Sequence, residues 1–166
     1  GSRKYFSQDG SIVVYIVDDN GGNSVLYFAN GTRCSGWVNF DGCYMYADPA
    51  SGVVYFGEHN IDGYWYLFSP DGVMQTGFQL IGTSDGGVKW VYYRFDGKMV
   101  HGEYCVGGSW YYFNPVTGAV TYGWYSLPDG RTVYYDTVSG IMKYGSQKID
   151  GYWYWFNTTT GALDRQ

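Results

Sequence analysis

A short run of aromatic residues next to a glycine-containing turn recurs along this 166-residue chain at a near-constant interval. Three copies are especially clear, at residues 62–68, 108–113 and 150–156. When the copies are aligned on the glycine that precedes them, the repeats begin at Gly36, Gly57, Gly77, Gly102, Gly123 and Gly145, with spacings of 21, 20, 25, 21 and 22 residues. Self-similarity at such a short period predicts a repeat architecture rather than a globule with one central core.

Each repeat has the pattern of a β-hairpin. The aromatic runs have high strand propensity, are too short for helices, and are bracketed by Asp-Gly turns of the kind that close two-residue hairpins. Because a lone hairpin is marginal in water, the repeats must stack their rings on one another. We therefore predict an all-β solenoid of tandem hairpins of about 21 residues, with six repeats in residues 36–166 and degenerate repeats or an N-terminal cap in residues 1–35.

Charge and hydropathy exclude two classes of partner. Fifteen acidic residues outnumber ten basic ones, so the chain lacks the basic stripe that binding to nucleic acid requires. It has no run of 18 apolar residues and no signal peptide, so we expect no membrane insertion by this segment. The opening Gly1-Ser2 is typical of a cloning remnant, and we expect the chain to be a piece of a longer protein.

The sequence offers little for catalysis or metal binding. Cys34, Cys43 and Cys105 lack the spacing of zinc ligands, so we predict no metal; either Cys34 pairs with Cys43, or all three are reduced thiols between strands. Eight of the 13 aspartates precede a glycine and serve turns. Glu58 and Glu103 lie 45 residues apart at equivalent repeat positions, whereas a glycosidase pair needs carboxyl groups within about 10 Å. We therefore expect no enzyme and no cofactor.

The repeats alternate in the residue that follows the first glycine. This residue is aromatic in three repeats and polar in the other three, as shown by Trp37, Phe78 and Trp124 against Glu58, Glu103 and Ser146. The alternation predicts a structural period of two hairpins. Stacked hairpins leave ring-lined grooves between them, and such grooves are where a ligand would bind.

The repeat resembles the cell-wall-binding repeats of Gram-positive bacteria, a family that includes choline-binding modules, glucan-binding repeats and the short repeats of clostridial toxins. The resemblance rests on Gly-Trp, a glycine turn, an aromatic run and a closing Gly-x-Met, with matching stretches at 71–77, 96–99, 108–113 and 140–142. It implies a non-catalytic module, appended to a larger enzyme, adhesin or toxin, that anchors a surface or secreted protein to the envelope. It also implies an extracellular location.

The resemblance further implies candidate site residues. In choline-binding members, a cage takes the Gly-Trp indole, the first ring of the aromatic run and an aromatic from the next repeat. Carried over, this pairs Trp37 with Tyr44 and Phe78 with Tyr92, each completed by Trp65 or Trp110 of the following repeat, while Trp124 is paired with Val133. The predicted ligand-binding residues are Trp37, Tyr44, Trp65, Phe78, Tyr92, Trp110, Trp124 and Trp153.

Three interpretations of these rings stay open at the level of sequence. Ring faces hold a quaternary ammonium such as choline, which favours a choline-bearing teichoic acid of the cell wall as partner. Rings in an open groove also stack on sugars, which favours an α-glucan or another extracellular polysaccharide. The third interpretation is a structural spacer or protein-interaction stalk. Self-association is not determined by the sequence.

Overall fold

The structure is a computed structural model that describes residues 2–19 and 21–165. Gly1 of the expected cloning remnant and Gln166 at the end of the predicted repeat region lie outside the described residues. In these ranges no helix is long and apolar enough to cross a membrane.

The described residues form strands joined by turns, and all strand pairs are antiparallel. The first sheet consists of β1 (Ser2–Phe6), β2 (Ile12–Asp18) and β3 (Ser24–Phe28). Six hairpins follow: hairpin 1 is β4 (Gly36–Phe40) with β5 (Cys43–Ala47), hairpin 2 is β6 (Gly57–Ile61) with β7 (Tyr64–Phe68), and hairpin 3 is β8 (Gly77–Gly82) with β9 (Val88–Tyr93). Hairpin 4 is β10 (Gly102–Val106) with β11 (Ser109–Phe113), hairpin 5 is β12 (Gly123–Ser126) with β13 (Thr132–Tyr135), and hairpin 6 is β14 (Gly145–Ile149) with β15 (Tyr152–Phe156) and the short β16 (Leu163–Arg165).

The prediction of an all-β chain of tandem hairpins is confirmed. The six glycines that begin the sequence repeats are the first residues of the first strands of hairpins 1 to 6. Each of these glycines has a positive φ between 65° and 77°. Because residues with a side chain rarely adopt this conformation, the glycine determines where each hairpin begins.

The tight turns follow from the Asp-Gly pairs. In hairpins 1, 2 and 6 the two turn residues both have positive φ, with values of 49° and 79° for Asp41-Gly42, 51° and 84° for Asp62-Gly63, and 49° and 91° for Asp150-Gly151. Two positive φ values define a type I′ turn, whose twist matches that of the strands it joins.

The described chain divides into two compact units, and each is described by itself. Unit 1 comprises the residues up to 77 together with 93–99, and unit 2 comprises 78–92 and the residues from 100 onward. The predicted division of the chain between residues 35 and 36 stays a prediction.

In unit 1, the first sheet shares a core with hairpin 1. Ile16, Leu26 and Met45 are fully buried in that core. Arg3 donates a hydrogen bond to the Pro70 carbonyl at 2.8 Å. The first sheet thus packs against the hairpins of unit 1.

In unit 2, buried tyrosines take the place of a broad aliphatic core. Tyr112, Val133 and Tyr135 pack together with Met142. Phe113 and Val120 belong to a neighbouring cluster. Side chains alternate between the two faces of each strand, so the rings next to these buried residues are left partly exposed.

The short segment that follows hairpin 2, 4 or 5, which we call its tail, forms a backbone hydrogen bond with the preceding hairpin in the chain. The N–H of Met74 donates to the Tyr44 carbonyl at 2.7 Å. In unit 2, the N–H of Val120 donates to the Trp90 carbonyl and that of Met142 to the Trp110 carbonyl, both at 2.8 Å. These bonds place one ring and one apolar tail residue side by side in each case.

The three cysteines are free thiols. Cys34 is buried, and burial raises its pKa to about 11. Of the two interpretations of the cysteines, the structure supports reduced thiols.

Candidate functional site

The ring that leads hairpin 1 connects two hairpins. The centroid of Trp37 lies 5.1 Å from that of Tyr46 on the partner strand and 4.9 Å from that of Tyr66 on hairpin 2. Both contacts are edge-to-face, with interplanar angles of 74° and 64°. Trp37 nevertheless remains 40% exposed. The ring therefore packs the hairpins together and still presents surface to a ligand.

The same arrangement recurs in unit 2. Phe78 lies 4.9 Å from Tyr92 on its partner strand and 5.2 Å from Tyr111 on hairpin 4. The Trp124 ring lies 5.1 Å from Tyr134 and 4.8 Å from Tyr154 on hairpin 6. A lead ring thus occurs in every second hairpin, as the alternation in the sequence predicts.

A cavity of about 250 Å³ opens beside Trp37 in unit 1. We call it cage A; its lining residues are Trp37, Tyr44, Tyr66, Met74, Phe95 and Asp96. Two of its walls, Tyr44 and Met74, are joined by the backbone hydrogen bond described above. Cage A therefore has rings from two successive hairpins, a thioether from the tail of the second, and one more ring, Phe95, from the segment after hairpin 3.

A second cavity, of about 380 Å³, opens beside Phe78 in unit 2. We call it cage B; its lining residues are Phe78, Trp90, Tyr111, Val120, Tyr122, Val138 and Ser139. Phe78, Trp90 and Tyr111 hold the strand positions that Trp37, Tyr44 and Tyr66 hold in cage A. The two cages are therefore variants of one arrangement.

The third lead ring has a different neighbour. Tyr44 of cage A lies opposite Asn39, and the equivalent position, opposite Ser126, is occupied by Thr132. Val133, which the resemblance paired with Trp124, is fully buried. The arrangement beside Trp124 thus lacks one ring wall.

The cage walls differ from the predicted set at three positions. Tyr92 packs against Phe78 from the partner strand and does not line cage B, where Trp90 takes the place predicted for it. The rings from the following hairpins are Tyr66 and Tyr111, not Trp65 and Trp110. For Tyr66 and Tyr111 the physical reason is the alternation of side chains along a strand, by which each ring points to the opposite face from the neighbouring tryptophan.

A signal in the sequence identifies Trp90. Trp65 and Trp90 each lie 12 residues before the glycine of the next repeat. Alignment on the preceding glycine hides this equivalence, because the spacing between Gly77 and Gly102 is 25 residues. The corresponding rings Tyr44 and Trp110 lie 13 residues before the next glycine, and Trp90 is the ring that falls 12 to 13 residues before Gly102.

The remaining predicted residues lie outside cages A and B. Trp65 and Trp153 line neither cage, and Trp153 is the most exposed of the predicted rings, at 61%. Trp110 lines a separate cavity of about 250 Å³ together with Glu103 and Arg131.

The cages carry little uncompensated charge. Asp96 of cage A is paired with Arg94, whose guanidinium nitrogen Nη2 lies 2.7 Å from the carboxylate. Burial raises the pKa of Tyr66, and the charge of Asp96 raises it further. The lining of cage B contains no charged residue. A ligand in either cage would therefore meet ring faces and apolar groups in the main.

Each glutamate has a side-chain partner in the structure. Glu58 accepts a hydrogen bond from Tyr93 at 2.8 Å, and Glu103 is paired with Arg131 at 2.5 Å. Within residues 2–19 and 21–165, no three His, Cys, Asp or Glu side chains form a group that would hold a metal ion.

Comparison with known proteins identifies similar sequences and folds. Residues 80–124 match the family model of the choline-binding repeat. The chain is similar to the solved structure of CbpJ from Streptococcus pneumoniae TIGR4, at 29% identity and a TM-score of 0.77, over 96% of this chain and 55% of that one. It is similar to choline binding protein F from Streptococcus pneumoniae, at 29% identity and a TM-score of 0.76, over 96% and 54% of the two chains.

A more distant similarity is to the pneumococcal cell wall endolysin from phage Cp-1, solved in complex with choline. Here the identity is 25% and the TM-score is 0.53, over 80% of this chain and 37% of that one. Comparison with curated protein sequences gave no match. The present chain spans about half the length of the first two structures.

Proposed function

We propose, from the premise that this chain belongs to the choline-binding-like repeat family, that it is a cell-wall-binding module whose cages A and B hold choline groups of an envelope polymer. The observation that carries this proposal is the pair of equivalent cavities, each lined by four rings and at least one apolar tail residue. The module would anchor a bacterial surface or secreted protein and would itself be non-catalytic.

The chemistry of the cages suits a quaternary ammonium. A trimethylammonium group has no N–H to donate, so it needs no hydrogen-bond acceptor and can bind in a site lined by rings. Its positive charge is attracted to ring faces, by about 2 kcal/mol or more when the contact is desolvated. In cage A these faces belong to Trp37, Tyr44 and Tyr66, and the polarizable sulfur of Met74 adds to them.

The predicted site residues would differ in their contact with choline. Trp37, Tyr44 and Phe78 would contact ligand. Trp124 would form a weaker third site, because Thr132 replaces a ring beside it. The remaining four predicted rings, Tyr92, Trp65, Trp110 and Trp153, would not contact choline.

Repetition would compensate for weak single sites. Each cage offers only a few ring contacts, so its affinity for one choline group would be modest. A polymer that carries many choline groups engages a second cage at high effective concentration after binding the first, which raises the apparent affinity by ~10²-fold or more. This is a suitable property for retention on a wall polymer outside the cell.

Isothermal titration calorimetry of the whole chain with choline tests the proposal. We expect saturable binding of choline and little heat with ethanolamine, because its primary ammonium makes hydrogen bonds to water that the cages do not replace. A cosedimentation assay then compares retention on choline-bearing cell walls with retention on insoluble α-glucan.

The same assays separate the alternatives. Absence of choline binding together with retention on glucan would replace the proposal by the polysaccharide-binding interpretation. Absence of both would favour a structural spacer or protein-interaction stalk.

A further inference from the structure

The cavity beside Trp110 has a different chemical character from cages A and B. It has a volume of about 250 Å³ and its lining residues are Glu103, Trp110, Arg131, Met142, Tyr144, Thr159 and Thr160. Trp110 and Met142 correspond to the ring and tail residue of a cage, and the same kind of backbone hydrogen bond joins them. We call this the Trp110 cavity.

The Trp110 cavity lacks the lead ring of a cage. Glu103 occupies the position that Trp37 and Phe78 hold in hairpins 1 and 3. A carboxylate replaces the ring face there, and Arg131 pairs with it at 2.5 Å. The cavity therefore lacks the lead ring that would cover an ammonium group in cages A and B.

Arg131 is held by three acceptors. It donates to the Glu103 carboxylate, to the Asp129 carboxylate at 2.7 Å and to the Thr160 carbonyl at 2.6 Å. With two carboxylates around one guanidinium, the local charge is negative, which disfavours a phosphate or another anion. The same contacts hold the polar groups of the cavity in fixed positions before any ligand binds.

A buried hydroxyl beside these groups has no partner among the described residues. The hydroxyl of Tyr135 is buried without a hydrogen bond. Burial raises its pKa, and the charge of Glu103 raises it further. The equivalent Tyr93 in hairpin 3 donates to Glu58 at 2.8 Å. In unit 2, Glu103 is bonded by Arg131 instead, and the Tyr135 hydroxyl is left without an acceptor among the described residues.

We propose that the Trp110 cavity is a second kind of binding site, for a neutral sugar ring, in which Trp110 stacks on the ring while Glu103 and Thr159 bond its hydroxyl groups. A pyranose has an apolar face of C–H groups and a rim of hydroxyls, and the cavity offers an indole that is 42% exposed together with fixed polar groups. This inference goes beyond the proposed function, because it assigns another class of ligand to a different cavity. The module would then recognise both an ammonium group and a glycan.

The test follows the tryptophan indole N–H signals of the whole chain by ¹⁵N–¹H correlation NMR. The chain has seven tryptophans, and the W110F and W90F variants identify the two signals of interest. Choline, chitotetraose as an amino-sugar glycan and isomaltotetraose as a glucan are titrated separately at millimolar concentrations. We expect one of the two saccharides to move the Trp110 signal, and choline to move the Trp90 signal of cage B.

A second variant tests the polar side of the cavity. T159V replaces a hydroxyl by a methyl group of similar size at an exposed position, so the fold should be retained. Loss of one hydrogen bond should weaken the saccharide affinity by about threefold to tenfold, with the choline response at Trp90 unchanged.

Three outcomes would overturn the inference. In the first, neither saccharide moves the Trp110 signal. In the second, choline moves that signal, which would make the cavity another ammonium site. In the third, T159V leaves saccharide affinity unchanged. None of the three depends on whether cage B binds choline, so the two proposals fail separately.

Discussion

The substitution W90T is the most direct perturbation of cage B. Trp90 forms one wall of the cavity and is 45% exposed. Threonine is the residue that the chain itself places at the equivalent position of hairpin 5, at Thr132. The variant therefore converts cage B into the arrangement beside Trp124, which has a lead ring but threonine at the position that Trp90 holds in cage B.

The expected loss follows from the ring contact. A cation over an indole face gains about 0.5–1 kcal/mol at an exposed site and about 2 when desolvated. Because Trp90 is partly exposed, we expect a loss of about 1–2 kcal/mol, or roughly fivefold to thirtyfold in the affinity of cage B. Threonine has high strand propensity but does not replace the buried part of the indole, so the free energy of unfolding should fall by about 1–2 kcal/mol.

Calorimetry with choline measures this effect without relying on tryptophan fluorescence, which the substitution itself alters. The wild-type chain should bind through cages A and B with comparable affinity, and W90T should retain only the contribution of cage A at low choline concentrations. Urea denaturation of both proteins checks that the fold is retained.

The matched control is W153T. Trp153 holds the same strand position in hairpin 6 and lines neither cage. The reasoning is refuted if W90T binds choline with the stoichiometry and affinity of the wild type, or if W153T loses as much binding as W90T does.

Three further predictions concern binding, packing and charge. T132W adds the missing ring beside the third lead ring, and calorimetry should detect one more choline site; an unchanged stoichiometry would contradict this. G97A should lower the free energy of unfolding by about 1–3 kcal/mol, because Gly97 has a φ of +81° and a methyl group there would force the Met74 side chain to shift. Gly86 has a φ of +85° but open space around it, so G86A should lower the free energy of unfolding by less. Urea denaturation measures both variants, and equal losses would argue against the contact with Met74. Hydrogen bonds from Lys143 and Ser139 hold the pKa of Asp136 well below its usual range. The stabilisation by the ionised Asp136 is therefore complete above about pH 4 and is lost as the pH falls through the lowered pKa. The stability difference between wild type and D136N should therefore shrink on acidification; a difference that persists in strong acid would refute this.

Much of the fold could be predicted from short-range sequence signals. The glycines that begin the repeats and the Asp-Gly pairs adopt backbone conformations that few other residues tolerate, so their positions determine strand starts and turns. The alternation between Trp37 and Glu58 likewise predicted that lead rings recur in every second hairpin.

The walls of the cages could not be predicted in the same way. Tyr66 and Tyr111 belong to neighbouring hairpins, and each lies one residue from a tryptophan that looks like the better candidate. Which of two adjacent rings faces the cavity depends on strand pairing and on the hydrogen bond from the returning tail. Repeat spacing alone does not report either of these.

The sequence by itself therefore determined the class of fold, the repeat boundaries and the aromatic character of the grooves, because these depend on local backbone preferences and on composition. The tertiary structure decided which rings share a cavity and which charges are neutralised. Trp90 and Arg131 show the physical reason. Their roles arise from contacts with the hairpin and tail that follow them in the chain, and such contacts form only when the repeats are packed together.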